Sequence, residues 1–477
     1  MLTTIFHTLL CYTRYYIKST YFLEPMCAIL KTMSDLHELS EQAQAVLVKN
    51  DRGLFTIPAA RLYPHQWLWD SCFIAIGQRH YDVERAKMEI LGLLRGQWSN
   101  GMIPHIIFTP GKKQAMHHGV WDSWVSPYSP DVSTSGITQP PLLAEAIVRI
   151  GEKMGLPERR SWYKQMLPAL VRYHEWLFRE RDPHGEGLVL QIHPWETGLD
   201  NTPPWMGELQ SHLLAWWIRI LQKTRLEYII SWLRRDTRVV PYDQRPSNID
   251  ALALYDSQRR LRRKEYDIDK ILPHSLFAIE DLAFNAIFIR ANDLLQQIAK
   301  TIRVTLTDEL LESIKLSKKS FEDLWDPYTE SYYPRDFVTH KLIKEPSVEA
   351  LLPLYAGCIT KERAAVLVKS IENSHMFGPA HPLPSVPLNS PWFNANRYWQ
   401  GPTWMNINWL VADGLRRYGY KDHADALVES SIELVENGNF NEYFNPLTGT
   451  PLGASNFSWT AAVVLDWIEN MPKKKRQ

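Results

Sequence analysis

The chain reads as an all-α protein, an (α/α)6 barrel with a few short β-hairpins in the loops at one end. Three observations predict this. About a dozen segments carry apolar residues at helical spacing, separated by loops rich in Gly, Pro and Asn. Strand signals are sparse and confined to short pieces flanked by Gly and Pro. Beyond residue 34 no linker, low-complexity block or strict solenoid-type repeat divides the chain. A dozen helices in one uninterrupted body form a closed ring of pairs most simply.

Taken in order, Leu36 to Val48 is the first helix. Val83 to Trp98 follows, with Asp82 as N-cap and Ile90, Leu93, Leu94 and Gln97 along one face. Leu142 to Met154 places Leu143, Ile147, Ile150 and Met154 at helical spacing, with Gly155 expected as its C-cap. Trp162 to Glu180 is helical despite Pro168, and Leu209 to Trp232 is long and apolar. Ser247 to Lys264, Ser275 to Lys300, Asp308 to Asp323, Lys361 to Ser374, Thr403 to Tyr418, Asp422 to Asn437 and Thr460 to Asn470 complete the helices. Gly187 to Ile192 and Ser331 to Val338 read as hairpin pieces.

Length alone, 477 residues, suggests roughly three domains, although single-domain barrels exceed that prior often. Residues 34–470 form one expected body, 471–477 a basic tail, and 1–33 an extension without a fold of its own. The extension is aromatic-rich, nearly free of acids and interrupted by Arg14 and Lys18. It is too broken to span a bilayer and has no tidy signal-peptide cleavage site; a degraded membrane or export segment is the alternative. Lysine plus arginine and aspartate plus glutamate each number 53, so no basic surplus points to nucleic acid or an anionic membrane. Cys11, Cys27, Cys72 and Cys358 make no CxxC pair, which suggests reduced thiols and a cytoplasmic protein. No GxGxxG or GxxxxGK[ST] appears, no metal-ligand spacing is visible, and no cofactor is expected.

The chemistry concentrates in four aromatic-rich motifs. Trp195-Glu196-Thr197-Gly198-Leu199-Asp200-Asn201-Thr202-Pro203 and Asn441-Glu442-Tyr443-Phe444-Asn445-Pro446 each set a carboxylate among rings and turn residues. Two such acids from distant parts of a fold are what glycoside hydrolysis requires. Asp200 is the candidate general acid, its pKa raised by Trp195 and Trp205, with Glu196 a close competitor. The structural alternative is a helix N-cap formed by Asp200 or Asn201. Glu442 is the candidate general base; the alternative is a surface acid bonding a backbone N–H. Tyr63-Pro64-His65-Gln66-Trp67-Leu68-Trp69-Asp70 offers rings for sugar faces and polar ends for hydroxyls, or else starts a helix with two core tryptophans. Tyr398-Trp399-Gln400-Gly401-Pro402-Thr403-Trp404 is a second such inventory around a Gly-Pro turn. Neither a Ser/His/Asp nor a Cys/His set assembles from these motifs.

Together the blocks resemble glycoside hydrolase family 63, best its bacterial branch acting on mannosylglycerate and glucosylglycerate. The resemblance spans roughly Ser34 to Ile468 and implies an (α/α)6 barrel and inversion at the anomeric centre. It places Asp200 at the position of the general acid and Glu442 at that of the general base. Tyr63, Trp67, Asp70, Gln139, Trp195, Gln400 and Trp404, with Tyr398 beside them, fall on positions similar to those lining the sugar subsite. In that branch an arginine holds the glycerate carboxylate. Arg234, Arg235 and Arg238 offer one, Arg235 being the candidate here, and a basic surface turn is the alternative. Trehalases share a similar Glu-x-Gly-x-Asp block, and Lys112 to Tyr128, with His117, His118, Trp121 and Trp124, covers a mobile loop of the family. The expected substrate is a small α-glucoside or α-mannoside, the expected partner that sugar alone or a second copy of the chain. An idle carbohydrate-binding protein and a phosphorylase are the rival readings.

Overall fold

The computed structural model describes residues 33–110, 119–206, 214–226, 234–378 and 382–471. The predicted extension therefore lies outside the described residues except for Met33, as do His117, His118 and all of the basic tail but Met471.

Among the described residues, six outer and six inner helices alternate along the chain. The outer helices are α1 (Met33–Asn50), α3 (Val83–Leu94), α5 (Leu156–Arg181), α9 (Asp308–Ser320), α11 (Lys361–Glu372) and α13 (Lys421–Gly438). The inner ones are α2 (Leu68–Gln78), α4 (Leu143–Glu152), α8 (Leu282–Ile302), the single turn α10 (Pro353–Ala356), α12 (Met405–Arg417) and α14 (Ser458–Asn470). Each inner helix packs on the next and α14 closes the ring against α2. A further pair, α6 (Trp216–Lys223) and α7 (Asn248–Arg263), packs together in the long connection between α5 and α8.

Burial explains which helices the sequence announces. α13 buries Ala424, Leu427, Val428, Ser431, Ile432 and Val435 and leaves the opposite face to solvent, so its period is visible. In α2 every residue is buried, polar Asp70, Ser71 and Gln78 included, so no polar face alternates with an apolar one to give a period. Neither α2 nor the fully buried turn α10 is among the expected helices, for that reason. Small residues let inner helices touch: a Cβ on Gly77 of α2 would sit 2.5 Å from the Ala462 backbone of α14, and one on Gly414 of α12 would sit 2.7 Å from Leu354 of α10.

Several boundaries differ from expectation. Asp82 caps α3 as predicted, its side chain accepting from the Arg85 N–H. Gly155 is not a C-cap; it is the extended N-cap of α5, whose first turn opens with Leu156-Pro157. α8 starts at Leu282 rather than Ser275, because Asp281 caps it and the preceding residues pair Ile279–Glu280 with Arg335–Asp336. The stretch 187–192 forms only an isolated bridge, Gln191 to Ile279. Of Leu209 to Trp232, the described part is helical only over α6.

Loops preceding the inner helices gather at one end. There β1 (Gln66–Trp67) pairs with β2 (Ile106–Ile107), and β3 (Asn441–Phe444) with β4 (Pro451–Ser455). A second apolar cluster, including Phe108, Trp121, Ile137, Ile192, Leu261 and Phe337, packs beneath these loops. No helix among the described residues is long and apolar enough to cross a membrane.

Candidate active site

The loop carrying Asp200 owes its shape to Gly198, whose φ of +77° favours glycine and whose Cβ would meet the Trp69 ring at 2.7 Å. The Trp205 indole donates to the Asp200 carbonyl, which fixes the turn, and the Asn201 side chain accepts from the Trp399 N–H at 2.9 Å. Asp200 is therefore tied to the 398–404 loop. Its carboxylate accepts from the Tyr398 hydroxyl at 3.1 Å. Burial raises its pKa to about 7; the Tyr398 hydrogen bond and the Arg245 charge oppose that rise, and the Glu442 charge adds to it.

Glu196, four residues earlier, is committed elsewhere. It accepts from Arg181 at 2.7 Å, from the Ile192 N–H at 2.8 Å and from the Thr138 N–H at 3.2 Å. It is a buried brace for its own loop.

Glu442 sits on β3 where the pairing slips: Asn441 faces Ser455, yet Tyr443 faces Leu452. β4 carries one extra residue opposite Glu442, and Gly453 supplies it with φ +69°. A Cβ there would lie 2.7 Å from Glu442 Oε2. The bulge aims the Ala454 N–H at Oε2, at 2.9 Å, while Oε1 accepts from the Tyr63 hydroxyl at 2.8 Å and faces Arg245 Nη1 at 3.6 Å. Burial raises the Glu442 pKa, and the Arg245 charge, the Ala454 N–H and Tyr63 hold it down. Paired N–H···O bonds between Thr403 and Phe444 join this strand to the loop of Tyr398. The two acids thus hang from one framework.

Arg245 is the residue the motif reading overlooked. Its buried guanidinium donates to the Tyr63 oxygen at 2.9 Å, lies 4.2 Å from the Tyr398 ring centre and faces Glu442. No charge cluster advertises it: it stands alone before Pro246, whereas Arg234, Arg235 and Arg238 drew attention as a tract. Arg234 is spent on Asp236, the Pro246 carbonyl and Asn248. Arg235 is exposed and donates to the Arg61 carbonyl. The arginine that faces Glu442 is Arg245.

The remaining candidates divide into lining and support. Asp70, in the first turn of α2, feels both Glu442 and Asp200, and burial pushes its pKa well up, with those two charges adding. Trp67 packs edge-on against Tyr63 and His105; Trp195 lies nearly parallel to His105 and touches Trp121. The Trp67 indole N–H and Gln139 Oε1 are buried without a hydrogen-bond partner in the structure. Gln400 is buried, its carbonyl accepting from the Asn394 N–H. Trp404 is only 1% exposed, stacks at 3.7 Å on Trp399 and donates to the Tyr398 carbonyl. It braces Tyr398, whose φ of +43° is strained for a tyrosine. His105 is a core histidine bonded to Ser135. Among the described residues no three His, Cys, Asp or Glu side chains are arranged to hold a metal ion.

Residues 63–460 match the model of the mannosylglycerate hydrolase MGH1-like glycoside hydrolase domain. A mannosylglycerate hydrolase of Thermus thermophilus is 38% identical over 430 residues, covering 89% of this chain and 99% of that one. A glucosylglycerate hydrolase of Mycolicibacterium hassiacum is 31% identical, covering 90% and 98%. The crystal structure of a family 63 mannosylglycerate hydrolase from Thermus thermophilus, in complex with Tris and D-glycerate, superposes with a TM-score of 0.80 at 37% identity, over 90% of this chain and 99% of the other.

Proposed function

The chain belongs to glycoside hydrolase family 63 through its MGH1-like domain and is a glycosidase; on that premise we propose that it hydrolyses an α-mannoside of glycerate with inversion, Asp200 acting as general acid and Glu442 as general base. Asp200, protonated, gives its proton to the glycosidic oxygen as the bond to the anomeric carbon breaks. Glu442, ionised, takes a proton from a water that attacks the opposite face of the sugar. Atoms balance: the water becomes the anomeric hydroxyl, and the aglycone leaves with the proton of Asp200.

The observation that carries this reading is the split between two neighbouring buried acids. Burial raises the pKa of both; that of Asp200 reaches about 7 with the Tyr398 hydroxyl and the Arg245 charge opposing, whereas Glu442 is surrounded by an N–H, a hydroxyl and a guanidinium that favour its charge. Environments that push two carboxyls apart assign the acid and the base. Arg245 is the side chain that meets an acidic aglycone, since guanidinium binds carboxylate in a planar fork. The mannosyl preference rests on relatives named mannosylglycerate hydrolase at 35–38% identity, against 31% for the glucosylglycerate enzyme. The free thiols of Cys72 and Cys358 fit a reducing cytoplasm.

The test is to supply the mannosyl and glucosyl conjugates of glycerate and measure kcat/KM for each. A preference for the mannosyl conjugate is expected. Equal rates would overturn the choice of sugar, and no release from either would overturn the activity.

A further inference from the structure

We propose that Asp236 is a positioning residue: clipped by Arg234, it sets where the guanidinium of Arg245 points, and so how Arg245 is divided between Glu442 and an acidic aglycone. This rests on the roles assigned above to Glu442 and Arg245.

Residues 234–248 form a loop closed on itself. Arg234 donates through Nε and Nη2 to both oxygens of Asp236, at 3.1 and 2.6 Å, and through Nη1 to the Pro246 carbonyl and Asn248 Oδ1, at 2.8 and 3.1 Å. One arginine therefore ties the start of the loop to its end. The loop is also stapled to the hairpin of Glu442: Tyr443 donates to the Gln244 carbonyl at 2.6 Å and the Gly453 N–H to the Gln244 side chain at 2.9 Å. Gln244 thus places the Arg245 backbone, but a long side chain needs a second anchor. Asp236 Oδ2 supplies it, 3.4 Å from Arg245 Nε. The other end of the guanidinium reaches Tyr63 and Glu442.

Arg245 is shared among three oxygens, and the share held by Asp236 is withdrawn from Glu442. Glu442 is faced by Arg245 and Asp236 from this loop, by Tyr63 and Asp70 from the α2 side, by Asp200, by Tyr398, and by Tyr443 of its own strand. Asp236 acts on Glu442 through its charge and through Arg245, and Arg234 acts only through Asp236. D236N removes an anion and releases Arg245 toward Glu442; both changes favour ionised Glu442 and weaken it as a base. R234M leaves Asp236 with Arg245 as its remaining partner in the clip, draws the guanidinium away and has the opposite effect on Glu442.

The experiment measures kcat and KM against pH for wild type, D236N and R234M on mannosylglycerate and on para-nitrophenyl α-mannoside, with thermal melting as the check of folding. In D236N the acidic limb of kcat moves to lower pH, and KM for mannosylglycerate rises about tenfold or more, the scale of one charge-assisted hydrogen bond. KM for the neutral aglycone stays near wild type. In R234M the acidic limb moves to higher pH. A limb that stays in place while kcat falls equally on both substrates shows a merely structural clip and overturns the proposal. Should D236N fail to fold, R234M, which keeps the anion, decides by the direction of its limb. E442Q is assayed beside them: its activity separates a failed base assignment from a failed role for Asp236.

Discussion

At the scale of single residues, burial raises the pKa of both acids while their partners differ. Asp200 has burial, one tyrosine and the Arg245 charge; Glu442 has burial and three donors, Arg245 among them. Replacing either, as D200N or E442Q, is expected to lower kcat at least about a hundredfold, the low end for acid–base groups. Turnover should fall as pH rises through about 7, where Asp200 loses its proton. The Tyr398 hydrogen bond favours ionised Asp200, so Y398F should raise its pKa and carry the alkaline limb to higher pH; a pH–rate profile of the variant checks the direction. The local sequence favours Asp200 over Glu196 as candidate acid only through the family resemblance. Both sit in the same turn chemistry, and what separates them is Arg181, fifteen positions upstream, reaching Glu196. Arg245 was invisible for a related reason: its importance lies in burial beside Tyr63, 182 positions away, and beside Glu442, and nothing local marks it.

At the scale of elements, the site is held by loops that contain the residues regular structure excludes. Gly198 and Gly453 both take positive φ; a Cβ would meet the core Trp69 ring at the first and the Glu442 carboxylate at the second. G453A is expected to displace Glu442 and cut kcat by about tenfold or more while the helical circular dichroism is retained, because the strain falls on a bulge and leaves the ring of helices alone. These turn motifs were readable because Gly, Asn and Pro have few other uses among aromatic residues. The outer helices were readable from their one-sided burial. The inner helix α2 was not, and the motif Tyr63 to Asp70 turned out to hold both a site residue and a helix start: Leu68 and Trp69 enter the core while Trp67 and Asp70 face the acids' end.

At the scale of the whole molecule, ring closure depends on α2 meeting α14. Gly77 permits the contact, and Asp466 of α14 seals it, accepting from Arg79 at 2.9 Å, His80 at 2.8 Å and the Trp409 indole at 2.8 Å. Burial opposes its charge, but Arg79 and His80 hold its pKa well below the ordinary 3.8. D466N should cost on the order of 3 kcal/mol at neutral pH, read from denaturant unfolding. Wild-type Asp466 contributes above its unfolded pKa and loses that contribution as pH falls through the lower folded value, so the gap between the two proteins should close in acid. Asp200 has the reverse sign. Its folded pKa lies above the unfolded one, so the folded state binds more protons and stability falls as pH rises between 3.8 and about 7. D200N should therefore melt higher than wild type above pH 7 while losing turnover, a site that costs stability to run its chemistry.

The central claim is a single displacement in which one acid protonates the leaving group and the other activates water across the sugar. It is tested most directly by following the anomeric proton of the released sugar by NMR during the first turnovers of an α-mannoside, before mutarotation mixes the forms. Initial release of the β-anomer is predicted. Initial release of the α-anomer would mean two displacements and a covalent intermediate, and would contradict the roles given to Asp200 and Glu442.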